Sequence, residues 1–279
     1  MKNHQDPQLS PEEELRAENN VLKVKLKMEY GMQDSDTSEL PPHVENEWLK
    51  YIDAFERQYK DAKVTTVYDF IGRPSYKKWD TLTPEQAGIE LRRLLSILEE
   101  NDVALDCICE YEDAVIYRFL TEELFLHDMD FIRLPGMTHH FIYEEFHPNH
   151  DHDLRRQTER FLKSVFGKQW HAEYDGLVLA RKITWSGKCR DSSDMSTIIT
   201  TFQEAHRSLR VLELDIREVR IDPELTTAEV IGVLSASGKT EDGQKVRYDG
   251  PCHFRFLMSE YDSWQVGEFS IPGLVSNNE

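Results

Sequence analysis

The chain has 279 residues, with 33 Lys+Arg against 52 Asp+Glu, a formal net charge of −19. Hydrophobic residues make up 39% and aromatics 10%, enough for a packed core in one large or two ordinary domains. The charge excludes a general nucleic-acid binder, which needs a basic footprint to displace phosphate counterions, and a protein that docks on anionic lipid.

Residues 1–30 predict a short amphipathic or coiled-coil helix. Ser10 suits the cap, Pro11 the first helical position, and Glu13 completes a capping box. Leu15, Asn19, Leu22 and Leu26 then form a short heptad seam whose Asn19 favours a defined dimer register. A single helix packing on its own chain is the competing reading. Residues 31–45, with Asp34-Ser35-Asp36-Thr37-Ser38-Glu39 before Pro41-Pro42, predict an acidic linker.

Residues 46–152 predict a mostly helical domain with a histidine-rich C-terminal segment. Trp48, Tyr51, Ile52 and Phe55 recur at helical spacing, and 64–70 is a short strand candidate. Thr83 and Gln86 frame a second capping box before an apolar helix that runs to Glu100. Residues 112–128 predict a further helix.

Six of the eleven histidines lie between His127 and His152. If 138–147 is helical, His140, Glu144 and His147 share one face. They could then hold Zn²⁺ or Fe²⁺ with positions open for water or substrate, a metal-dependent activity. If the segment is a strand, as its aromatic and β-branched content equally suggests, that face disappears. The histidines then belong to a polar crossover.

Residues 153–279 predict a helix capped by Asp153, a strand near 177–185, and a helix whose apolar face runs from Met195 to Leu209. Strands follow near 211–221, 228–237, 246–258 and 263–271. A bent antiparallel sheet wrapped on helices makes a cone. The helix ending Phe202-Gln203-Glu204-Ala205-His206, the strand Leu214 to Asp222 and the ending Trp264 to Gly273 resemble the nuclear transport factor two-like, or SnoaL-like, superfamily. The resemblance implies an α+β chain: a mostly helical N-terminal domain, then a cone-shaped domain with a curved antiparallel sheet. That superfamily includes enzymes, ligand binders and dimerisation modules, so the fold does not give the function.

Site candidates therefore come from the residues themselves. His206 shares a helix face with Phe202, and His206 with Asp215, or with Glu213 nearby, is the candidate acid–base pair. Trp185, Phe202, Phe254, Phe256 and Trp264 are the candidate pocket for a small apolar ligand. Cys107, Cys109, Cys189 and Cys252 form no CxxC pair and fit reduced cytoplasmic thiols. No apolar run approaches the roughly 20 residues that span a bilayer, and the opening Met1 to Pro7 lacks the apolar stretch of a secretory signal. The combined expectation is a cytoplasmic binding or assembly protein that forms homo-oligomers, with no resident cofactor beyond the metal alternative. The other alternative is a small-molecule enzyme or ligand binder acting in the cone.

Overall fold

The computed structural model describes residues 10–33, 40–171 and 178–274. The opening residues, the acidic stretch Asp34–Glu39 and Leu177 lie outside the described residues. The chain divides into two compact units, Met1–His147 and Pro148–Glu279. Among the described residues no helix is long and apolar enough to cross a membrane.

The first unit opens with helices α1 (Pro11–Tyr30) and α2 (Pro42–Lys60). The Ser10–Glu13 capping box forms, with Ser10 N–H on the Glu13 carboxylate at 2.8 Å. Pro42 starts α2 inside the stretch expected to be linker, as its fixed φ suits a first helical position. The helices run parallel, since Asn19 lies beside Asn46 and Lys25 beside Asp53. Asn19 donates to the Pro42 carbonyl and the Glu45 carboxylate and accepts from Asn46, each at 2.8 Å. Burial pushes the Asp53 carboxyl up, but Lys25 and Arg57 outweigh it and hold the group below its ordinary value. The seam residues Asn19 and Leu26 are buried within the chain, with Asn19 hydrogen-bonded to Asn46 of α2.

Next come β1 (Val64–Thr66), α3 (Val67–Phe70), α4 (Pro84–Glu100), β2 (Val103–Asp106), α5 (Asp113–Glu122), β3 (Asp128–Asp130), β4 (His139–Ile142) and α6 (Tyr143–Phe146). The candidate strand 64–70 stops at Thr66, whose hydroxyl accepts from Asp69 N–H and starts α3. The helix expected over 112–128 ends at Glu122 and gives way to β3, which pairs antiparallel with β1. β4 pairs parallel with β2. Phe70, Leu91, Leu94, Leu98, Tyr117 and Leu120 close the core beneath these elements.

The second unit contains α7 (His150–Phe166), β5 (Leu179–Trp185), β6 (Lys188–Asp191), α8 (Ser192–Glu204), β7 (His206–Ile221), β8 (Thr227–Thr240), β9 (Lys245–Met258) and β10 (Trp264–Ser270). α7 begins before the expected cap Asp153, because Asn149 accepts from His152 N–H and caps it earlier. α8 stops at Glu204, and Leu209, which continues the helical period, instead pairs with Gly238 in the β7–β8 ladder. Six strands form one sheet in the order β6-β5-β10-β9-β8-β7. The pairs are antiparallel except β5 with β10, so the sheet is mixed, not purely antiparallel as expected. Register shifts at three places along β7 bend the sheet, as bulges do. Phe161, Leu162, Val165 and Phe166 of α7 fill the concave side against Val230, Leu234, Phe254 and Phe256. Gly232 permits the bend, since a Cβ there would stand 2.7 Å from the Asp215 carbonyl oxygen.

Candidate functional site

The histidine-rich segment is a strand followed by a single helical turn, not one continuous helix. The shared face of His140, Glu144 and His147 is therefore not built. His140 Nδ1 stands 3.3 Å from Asp106, and His147 Nε2 stands 2.9 Å from Glu123 and stacks on Tyr143. The Glu144 carboxylate accepts the backbone N–H groups of Ile108 and Cys109 at 2.8–2.9 Å. Burial raises the Glu144 carboxyl, but those N–H donors outweigh it and hold it below the ordinary range. Glu144 is thus a brace for the 107–109 loop. Among the described residues no group of three or more His, Cys, Asp or Glu side chains is placed to hold a metal ion.

His206 opens β7, and its ring is buried at 4% exposure. Nδ1 lies 2.7 Å from the Phe202 carbonyl oxygen, which can only accept. The ring proton therefore sits on Nδ1, and Nε2 accepts from the Tyr248 hydroxyl at 2.6 Å. Burial pushes the Tyr248 phenol above its ordinary value and keeps it a donor. Both imidazole nitrogens are committed inside the unit. Asp215 is nine residues further along β7, roughly 30 Å at strand rise, exposed and ion-paired with Arg217 at 3.0 Å. The expected His206–Asp215 pair is thus not assembled, because the two side chains leave opposite faces of one long strand. Tyr248 was absent from the sequence-derived candidates. Its even-numbered phase with Cys252, Phe254 and Phe256 on β9 was the available signal for an inward side chain.

The five aromatic candidates do meet, but as packed interior. Phe254 and Phe256 are 0% exposed, and Trp185 and Trp264 are buried. Phe254 stacks on Phe269 and meets Phe161 edge-on at 5.5 Å. Phe202 packs on Phe166 and His206. All five rings belong to or pack against one hydrophobic cluster. Of the five, Trp264 borders open space: a cleft of about 590 Å³ along α7, with Phe161 and Trp170 on its apolar wall.

The second unit is an α+β fold in which a helix, a strand hairpin, a second helix and four further strands build one bent six-stranded sheet packed on α7. Several solved structures are similar to this part of the chain. A ketosteroid isomerase-like protein from Erwinia carotovora atroseptica shares 11% identity, covering 44% of this chain and 94% of its own, with a TM-score of 0.38. A nuclear transport factor 2 (NTF2-like) superfamily protein from Salmonella enterica shares 12%, covering 46% and 92%, with a TM-score of 0.35. A conserved protein from Planctomyces limnophilus shares 11%, covering 43% and 92%, with a TM-score of 0.37. No family model and no curated protein matches the chain.

Proposed function

We propose that this chain is a cytoplasmic binding and assembly protein that associates with a second copy of itself through the outer face of α2. The supporting observation is an apolar ridge on that face. Val44, Trp48, Tyr51 and Tyr59 are 40–56% exposed, and Phe55 stacks on Tyr59 at 5.9 Å. These positions follow helical spacing and lie opposite Asn46, Leu49 and Asp53, which face α1. A row of large exposed rings on one helix is unusual for a monomer surface and marks an interface.

Charge selects the orientation. α2 carries the exposed Glu47 in its first half and the exposed Lys60 at its end, while Glu45 is taken by Asn19 and Lys23 and Arg57 by Asp53. Antiparallel alignment of two α2 helices sets acid against base. A two-fold axis between Asp53 and Ala54 then places Trp48 against Tyr59 of the partner subunit and Ile52 against its Phe55. The cytoplasmic assignment is supported by four cysteines that are all free thiols.

The test is light scattering of the full chain and of a Trp48→Glu/Tyr51→Glu variant. The expected result is twice the 32.8 kDa chain mass for the parent and one chain mass for the variant. A monomeric parent at tens of micromolar, or a variant that stays dimeric, overturns the reading.

A further inference from the structure

We propose that the cleft along α7 binds a small aromatic monocarboxylate, a function separate from pairing through α2. The cleft holds about 590 Å³, within the range of small-molecule sites. Its apolar wall is Phe161, Trp170 and Trp264, with Trp170 edge-on to Phe161 at 5.6 Å. Such a wall suits a flat ring.

The polar groups around that wall are mostly donors. Arg156 and Arg160 stand one turn apart on α7, both line the cleft, and neither makes a hydrogen bond or ion pair among the described residues. Arg155 on the same helix shows the contrast, since Asp151 holds it at 2.7 Å. The Trp264 indole donates to His150 Nδ1 at 3.2 Å. His150 therefore carries its proton on Nε2, as a further donor at the cleft. Trp170 is buried and its indole N–H, closed off from the cleft, has no partner among the described residues, so Trp170 contributes apolar wall rather than a donor.

The unpaired guanidinium groups, rather than net charge, set the ligand's valence. Lys163 is held to Glu159 at 3.1 Å, which leaves the two arginines to take the anion. With Lys163 taken by Glu159, Arg156 and Arg160 are balanced around the cleft by Asp153 and Asp262. Two guanidinium forks one turn apart match one carboxylate, with the ring lying on the indoles.

The experiment is isothermal titration of the full chain with 2-naphthoate, benzoate and indole-3-acetate, and with uncharged 2-naphthamide. At least one acid is expected to bind in the micromolar range, with quenching of tryptophan emission. The amide should bind about tenfold more weakly, as should an Arg156→Gln/Arg160→Gln variant, from the loss of charge-assisted hydrogen bonds. Arg217→Gln, on the outer face of β7, is the control and should bind as the parent does. Circular dichroism confirms that these surface variants fold. No binding by any acid at millimolar concentration, equal binding of acid and amide, or an unaffected double variant overturns the proposal.

Discussion

Replacing Tyr248 by phenylalanine removes one oxygen from the interior of the second unit and leaves His206 Nε2 without its donor. The lost contact is a 2.6 Å hydrogen bond between two side chains packed among Phe166 and Phe202. The ring itself stays, so the apolar burial is nearly unchanged and the cost is that of a stranded acceptor. That cost is about 1–3 kcal/mol. Amide hydrogen exchange reads it without assuming that the two units unfold together. Protected amides of β8 and β9 should exchange roughly 5- to 150-fold faster in Tyr248→Phe, as that energy range implies. Nitrogen-15 shifts of the parent imidazole should show the proton on Nδ1. Unchanged exchange in the variant, or a proton on Nε2, would refute the assignment of His206 as a hydrogen-bonded core residue.

Other consequences follow from the same structure. Burial raises the Cys252 thiol from 9.0 to about 11. A raised folded pKa means stability present below the unfolded value and lost as pH rises through the folded one. Denaturation midpoints should fall between about pH 9 and 11, and fall less in Cys252→Ala. Gly273 has φ +88°, and a Cβ there would stand 2.4 Å from Cδ1 of Tyr248. Gly273→Ala should destabilise the second unit by about 1–3 kcal/mol, and an unchanged melting temperature would contradict that geometry. The Glu144 carboxyl is held below its ordinary value by two N–H donors, so its contribution is present above the unfolded value and lost as pH falls through the folded one. Glu144→Gln should cost about 1–3 kcal/mol at neutral pH and flatten the acid limb of the first unit's stability profile. An acid limb identical to the parent's would show that Glu144 does not brace the 107–109 loop.

What the sequence disclosed was local. Ser10 with Glu13 and Thr83 with Gln86 were legible as helix starts because a capping box is a contact between residues three apart. The cone was legible because alternation along β8 and β9 is strict, with Val230, Leu234, Phe254 and Phe256 all inward. What escaped depends on distant partners. β2 is short, and its parallel mate β4 lies more than thirty residues away, so nothing in either window announces the pair. The α1 seam declares that it wants a partner but not which one. Asn46 and Leu49 satisfy it from within the chain because α2 repeats the same polar-then-apolar spacing. His206 and Asp215 escaped because the helix ends before His206, so both lie on β7, and one strand sends them to opposite faces. The open cleft escaped for a related reason. Phe161 and its near neighbour Trp170 share the cleft wall with Trp264 from the far end of the unit, and no short motif encodes that meeting.

The association of two chains through α2 is tested most directly by a distance between copies. A nitroxide label at Glu47, on a chain with Cys107, Cys109 and Cys189 changed to serine, reports it by pulsed electron resonance. With the two-fold between Asp53 and Ala54, the two Glu47 positions are separated by about 20 Å along the helix axis. A single distance population compatible with that offset is the predicted result. The absence of dipolar coupling at concentrations where light scattering is performed, or a distance that places the two labels at one height, would contradict antiparallel pairing of α2.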